Sequence, residues 1–286
     1  MAVFYTAKEV NAGIQKKIEQ DLALLCEKGV LPVLATLRVG ENGADVSYEI
    51  GATKRMKALG IGVRNVRVPA DASQTQIADS LRELAEDGAV HGILLLQPLP
   101  QGIDEAAIKA IIPPEKDVDG ATADNLGAVL ANREECYPSC APAAVIALLD
   151  HYGIEMKGKD AVIIGSGLLV GRPLAMLLAG RFATVTLCNV YSKDVPSIAR
   201  RADVLVSAAG VAALVTEKYV REGQIVIDVG TTFKDGHLFG DVDVASVEPV
   251  VAAVTPTPGG VSGITTTILA RNVVHAAKRR MDAGQS

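Results

Sequence analysis

No stretch of this chain strings together the roughly 18 apolar residues that a bilayer span requires, so a soluble protein without a membrane partner is expected. Positive charge is not in excess either. The formal net charge is −5, which gives no general attraction for polyanions, and a nucleic-acid partner would need a local basic patch. The short run Lys278-Arg279-Arg280 reads instead as the solvated end of a helix. Cysteine is sparse and scattered (Cys26, Cys136, Cys140, Cys188). No second Cys or His pair with zinc spacing accompanies Cys136-x-x-x-Cys140, so plain thiols and no metal are expected. The first residues carry no charged-then-apolar signal pattern, and a reducing cytoplasm suits the composition. Repeats at solenoid periods and low-complexity segments are missing too.

What is present points to an α/β protein of two lobes. Single cores stop growing near 250–300 residues, and this chain has 286, nearly half of them apolar. Val10, Ile14, Ile18, Leu22 and Leu25 recur at helical spacing, and Leu31-Pro-Val-Leu-Ala-Thr-Leu-Arg-Val39 then reads as a buried strand ending at Gly40. Residues 48–59 predict a helix stopped by Gly60, 63–68 a strand, 75–86 a helix, and 92–96 an apolar strand running into Pro98-Leu-Pro100. After a polar stretch (115–127) and a helix near 143–152, further strands are predicted at 159–164, 184–188, 203–207 and 225–229. Strands alternating with helices of this length imply a largely parallel sheet covered on both faces, and the second half reads as a doubly wound nucleotide-binding domain.

Gly165-Ser-Gly-Leu-Leu-Val-Gly171 follows a strand directly and opens a helix. In such a turn the first glycine permits the tight bend, the second lets the backbone approach a pyrophosphate, and the helix N-terminus meets the charge. Candidate cofactor residues are therefore Gly165, Ser166, Gly167, Val170, Gly171 and Arg172 on the turn. Ala208, Gly210, Asp228 and Gly230, at the ends of later strands, join them. The acid expected about 20 residues on, which would bind the adenosine ribose, is missing. That strand runs out through Cys188-Asn189-Val190-Tyr191, with neither Asp or Glu for NAD nor a cation for the 2′-phosphate of NADP before Lys193. Val190 and Tyr191 cannot pair with a phosphate dianion as Arg does, so NAD is favoured over NADP.

Taken together, several segments resemble the methylenetetrahydrofolate dehydrogenase/cyclohydrolase family. They are Val39-Gly40 with Ser47-Tyr48, Pro98-Leu-Pro100, Lys116-Asp-Val-Asp-Gly120, the 165–173 turn, Gly240-Asp-Val-Asp243 and Thr255-Pro-Thr-Pro-Gly-Gly-Val261. The resemblance implies a discontinuous folate-binding domain (1–141 and 265–286) closed by a C-terminal helix near 265–281, a Rossmann-type NAD(P)-binding domain (142–264), and folate in the cleft between them. It implies that Asp119 grips the pterin, that Tyr48 lines the folate pocket, and that Gln97, Pro98, Leu99, Pro258, Gly259 and Gly260 border it. A carboxylate suits a pterin because the ring offers an amino group and an N–H side by side. The substrate class implied is a one-carbon derivative of tetrahydrofolate, and the assembly implied is a homodimer.

Hydride transfer from methylene- to methenyltetrahydrofolate needs alignment more than a strong base, because the folate nitrogens delocalise the cation left behind. The family's second activity, hydrolysis of the methenyl bridge, depends by resemblance on a lysine four residues after the tyrosine and a glutamine before Pro-Leu-Pro. Here those positions hold Ala52 and Leu96. Lys54 comes two residues later, which on a helix points nearly the opposite way, and Gln97 one residue later, which on a strand faces the other side. Dehydrogenation is thus expected to survive and cyclohydrolase activity to be weak, absent or rebuilt; a helix distortion near Gly51 would bring Lys54 back as a catalytic group. The rival readings are a non-catalytic folate- or dinucleotide-binding homologue and another two-domain nicotinamide-dependent dehydrogenase, such as a shikimate-type enzyme. His91, His151, His237 and His275 sit in no recognisable catalytic setting.

Overall fold

The computed structural model describes residues 1–133, 135–234 and 237–284. The elements of the first half are β1 (Val3–Phe4), α1 (Ala7–Glu27), β2 (Val33–Val39), α2 (Gly43–Ala58), β3 (Gly62–Val68), α3 (Gln74–Glu86), β4 (Gly92–Leu95), α4 (Glu105–Lys109), α5 (Ala123–Leu130) and α6 (Cys140–His151). Those of the second half are β5 (Asp160–Ile164), α7 (Gly171–Ala179), β6 (Thr184–Cys188), α8 (Val195–Ala199), β7 (Val204–Ser207), β8 (Ile225–Asp228), β9 (Thr231–Lys234), β10 (His237–Gly240), α9 (Val244–Val247), β11 (Ala253–Val254) and α10 (Ser262–Ala283). The chain divides into two compact units. One comprises Met1–Ala12, Val129–Asn132 and Ala141–Thr265; the other comprises Gly13–Ala128, Arg133–Cys140 and Thr266–Ser286. The amino terminus thus differs from the division expected above, because β1 pairs in parallel with β11.

The second of these units is built on a parallel sheet in the order β3-β2-β4. Ser73 starts α3 with a capping box: its hydroxyl accepts from the Gln76 amide, and the Gln76 side chain accepts from the Ser73 amide. The helix then buries Ile77, Ala78, Leu81 and Leu84 against Ala35, Leu37, Val39, Ile93 and Leu95 of the sheet. Each such side chain contributes roughly 1.5–3 kcal/mol by leaving water. Side chains alternate along a strand, so Thr36 and Arg38 face the other way, towards α2, where Glu49 contacts both.

The other unit carries a six-stranded parallel sheet in the order β1-β11-β8-β7-β5-β6, with the hairpin β9-β10 beside it. The central strands are apolar on both faces, as a sheet covered by helices requires: Val204, Leu205 and Val206 of β7 are fully buried. From β5 the chain goes to β6 on one side and later to β7 on the other. The gap beyond the ends of β5 and β7 is therefore the switch point of the sheet, where ligands of open α/β folds bind. Among the described residues no helix is long and apolar enough to cross a membrane.

Candidate active site

At the end of β5 three glycines have three different reasons to be there. Gly165 has φ +112°, and a Cβ on it would stand 2.2 Å from the Ala208 carbonyl oxygen, at the end of β7. A Cβ on Gly171 would stand 1.8 Å from the Gly165 carbonyl oxygen, which fixes how closely α7 packs on the turn. Around Gly167 nothing lies within 4 Å. Two glycines are thus obliged by the protein's own backbone, and the middle one leaves open space at the helix N-terminus, as close approach by a pyrophosphate demands. Val170 precedes the helix as its N-cap residue without a side-chain cap. Arg172 folds back to donate from Nε to the Ser166 carbonyl at 3.0 Å.

Beyond β6, Asn189 Oδ1 accepts from the Tyr191 amide at 2.9 Å and Ser192 Oγ from the Asn189 amide at 2.9 Å. Val190 and Tyr191 stand out from this turn at about nine-tenths exposure. Asp228, at the end of β8, points into the interior instead of towards the turn. Its carboxylate is committed to the amides of Asp241 (3.0 Å) and Val242 (3.3 Å) and to the Thr257 hydroxyl (2.9 Å), and burial pushes its pKa up to about 6. Gly230 is obliged by this interior too, since a Cβ there would meet the Asp241 carboxylate at 2.1 Å. Pro258 and Gly259 are exposed beyond a cis Thr257-Pro258 bond, whereas Gly260 is buried.

In the three-stranded unit, the Lys116-Asp-Val-Asp-Gly120 turn separates its two aspartates. Asp117 is 1% exposed and accepts from the amides of Ala121 (3.0 Å) and Thr122 (2.8 Å), the Thr122 hydroxyl (2.7 Å) and the Asn125 side chain (2.9 Å), which organises the start of α5. Lys116 donates to the carbonyls of Ala85 (2.7 Å) and Asp87 (2.8 Å) at the end of α3. Both residues are occupied by structure. Asp119 is half-buried beside the Cys140 thiol, and its pKa is pushed up to about 7, first by burial and then by the charge of Asp117. Burial, with Asp119 alongside, drives the Cys140 thiol well above its usual range. Gly120 closes the turn at φ +65°, and a Cβ on it would strike the Tyr137 carbonyl oxygen at 2.1 Å. Of the two carboxyls of this turn, only Asp119 keeps partial exposure.

The helix α2 begins where Asn42 accepts from the Ala44 amide, and it runs through Gly51 without interruption. Its buried face is Asp45, Glu49, Ala52 and Met56. Tyr48 lies about 40° round from Ala52 and is half-buried; Lys54 lies about 200° away and is exposed. On β4 the alternation continues into Leu96, whose amide donates to the Leu37 carbonyl at 2.9 Å. Leu96 is buried on the Arg38 side of the sheet, and Gln97 follows it, half-buried, before the cis bond to Pro98. Leu99 packs against the α3 side of the core. No distortion at Gly51 brings Lys54 inward.

Nearly the whole chain matches known proteins. The description "Tetrahydrofolate dehydrogenase/cyclohydrolase, catalytic domain" matches residues 5–119, and "Tetrahydrofolate dehydrogenase/cyclohydrolase, NAD(P)-binding domain" matches 139–281. The chain belongs to the tetrahydrofolate dehydrogenase/cyclohydrolase family. The "Bifunctional protein FolD" of Alkaliphilus metalliredigens is 41% identical over 98% of this chain and 99% of its own length. Among solved structures, the bifunctional FolD enzyme of Campylobacter jejuni superposes with a TM-score of 0.94 at 35% identity, covering 98% of this chain and 100% of that one. The Trypanosoma brucei FolD, solved with NADP and an inhibitor, gives 0.93 at 34% identity, covering 98% of each.

Membership of the tetrahydrofolate dehydrogenase/cyclohydrolase family sharpens what is unusual here. Around the alanine at position 52 the sequence reading overlooked a buried charged cluster. Arg38 is 2% exposed; its Nε donates to Glu49 Oε2 at 3.0 Å, and it also meets the Gly40 carbonyl and Glu41. Thr36 donates to Glu49 Oε1 at 3.0 Å. Asp45, one turn earlier on the same helix face, has its pKa raised by burial against the opposing pull of Arg38. The signal was in the sequence: an arginine inside an otherwise apolar strand needs a buried partner, and Asp45 and Glu49 share a helix face with Ala52 and Met56.

Proposed function

We propose that this chain is a 5,10-methylenetetrahydrofolate dehydrogenase that uses a nicotinamide dinucleotide, with little or no cyclohydrolase activity. The observation that carries this reading is the pairing of an intact dinucleotide turn, open only at Gly167, with a lysine slot filled by a buried alanine. In the proposal Asp119 and Tyr48 hold the pterin and its aryl tail, with Gln97, Pro98 and Leu99 beside them. The 165–172 turn and the 208–210 loop hold the dinucleotide, and Pro258, Gly259 and Gly260 border the folate. When bound, the oxidised nicotinamide supplies the hydride acceptor. The one-carbon bridge loses a hydride and the folate nitrogens share the resulting cation, so no side chain has to remove a proton. What the protein supplies is alignment and exclusion of water, which raises the effective concentration of donor for acceptor.

Hydrolysis of the methenyl bridge asks for more, because water must be activated and a proton returned to the leaving nitrogen. Ala52 and Leu96 can do neither, and Arg38 is tied to carboxylates and a carbonyl. NAD is favoured over NADP because the turn after β6 presents Val190 and Tyr191 where a 2′-phosphate would need a cation. A homodimer in a reducing cytoplasm completes the proposal. Purified protein given methylenetetrahydrofolate and each cofactor should produce reduced nicotinamide, faster with NAD. Given methenyltetrahydrofolate, it should not exceed the buffer rate of hydrolysis. An enzyme-dependent hydrolysis, or no folate-dependent reduction at all, overturns the reading.

A further inference from the structure

The reaction leaves unused a second pair of buried carboxylates, at the ends of β8 and β10 in the six-stranded unit. Asp241 is 0% exposed. Its Oδ2 accepts from the Ser207 hydroxyl at 2.8 Å, the Ala209 amide at 2.7 Å and the Gly210 amide at 3.2 Å, and its Oδ1 from the Val211 amide at 2.9 Å. Three successive backbone amides converging on one anion form a nest of the kind that usually cradles a phosphate, here filled from within. Asp228 holds this arrangement in turn by accepting from the Asp241 and Val242 amides and from the Thr257 hydroxyl. The neighbouring glycines agree. A Cβ on Gly230 would lie 2.1 Å from the Asp241 carboxylate, and one on Gly240 would lie 1.8 Å from Asp228 Oδ2.

What Asp241 grips is the loop that leaves β7 at the switch point of the sheet, whose first residue, Ala208, packs against Gly165. We infer that Asp241 is a positioning residue for the dinucleotide: it sets the shape of the 208–211 loop, and Asp228 mounts the Thr257 segment on the same anchor. The inference rests on the proposed use of a nicotinamide dinucleotide. With the amides of residues 209–211 taken up by Asp241, the loop keeps none of these three donors for an anion, so it receives a neutral part of the cofactor and leaves the pyrophosphate to the Gly167 turn.

The test compares wild type, Asp241→Asn and Ser207→Ala by fluorescence titration with NADH and NADPH and by KM for each substrate, with circular dichroism as the check of folding. An amide side chain turns a donor towards donors, so Asp241→Asn is expected to weaken dinucleotide binding about tenfold or more while the folate KM stays within about twofold. Ser207→Ala removes one of the donors and spares the carboxylate, and a shift of about two- to threefold in the same constant is expected. A folded Asp241→Asn that binds dinucleotide like wild type overturns the inference. So does a loss of affinity shared equally by folate, since a purely structural residue would act on both. If Asp241→Asn does not fold, an unchanged dinucleotide constant in Ser207→Ala overturns it. A wild-type chain that binds neither NADH nor NADPH removes the dehydrogenase reading itself, a different result from wild-type binding with unaffected variants.

Discussion

The two units hold their chemistry by different means. In the six-stranded unit the turn at Gly165 and the loop on Asp241 are shaped by backbone: glycines without room for a Cβ, and amides converging on a carboxylate. In the three-stranded unit the buried ionisable groups are side chains held by one another, with Asp119 beside Cys140 and Arg38 paired to Glu49. A backbone site tolerates changes in side-chain chemistry and fails when atoms are added. A side-chain site keeps its shape and changes its reaction when one residue is exchanged, and in the proposed function the alanine at position 52 is such an exchange.

That contrast can be broken first at Gly171. Gly171→Ala puts a Cβ against backbone 1.8 Å away, and a loss of roughly 3 kcal/mol or more in stability is expected together with dinucleotide binding. Gly167→Ala, with nothing within 4 Å, should keep its stability within about 1 kcal/mol while still losing dinucleotide affinity. Thermal melts of the two variants with and without NADH separate these effects; equal behaviour would erase the distinction between obliged and open glycines. Next in size is Glu49→Gln, which leaves the buried Arg38 charge with only the exposed Glu41 as its ion-pair partner and should lower stability by roughly 3 kcal/mol in urea titration. An unchanged midpoint would mean that the pair is not buried in solution.

Asp119 gives a smaller effect with a definite pH signature. Its carboxyl, raised from 3.8 to about 7, binds its proton more tightly folded than unfolded. The stability this confers is complete below pH 4 and is lost as pH rises towards 7. Asp119→Asn should therefore melt higher than wild type at pH 8, by on the order of 2 kcal/mol, and with no advantage near pH 4. If the ionised form grips the pterin, the wild-type folate KM rises as pH falls below 7, and the asparagine variant shows a high, pH-independent KM instead. The smallest effect belongs to Lys54→Gln. An exposed lysine on the far side of α2 should change neither the dehydrogenase rate nor hydrolysis by more than about twofold, as expected of a surface substitution.

The long elements were legible because each carries its own pattern. Apolar spacing found α1, α3 and β2, and the strand-turn-helix context gave Gly165 its role in the tight bend, whereas the packing role of Gly171 came only from the structure. The start of α2 was placed too late because its first turn, Gly43 to Val46, shows no apolar stripe and is set by the Asn42 cap. The hairpin β9-β10 and the short β1 were missed for a different reason. β1 is two residues long and exists only because β11, some 250 positions away in the chain, offers it an edge. Local preference is too weak at that length to announce a strand.

By itself the amino-acid order determined the alternation of strand and helix, the glycine turn and the identities of Ala52 and Leu96, where the family resemblance implies lysine and glutamine, since each is a matter of spacing or identity. Only the tertiary structure decided which charges are buried. It assigned Asp117 and Lys116 to structure and set Asp119 beside the Cys140 thiol, turned Asp228 inward, and joined Arg38 to Glu49. The physical reason is that the work of an ionisable group depends on which donors and how much water surround it, and those neighbours come from distant parts of the chain.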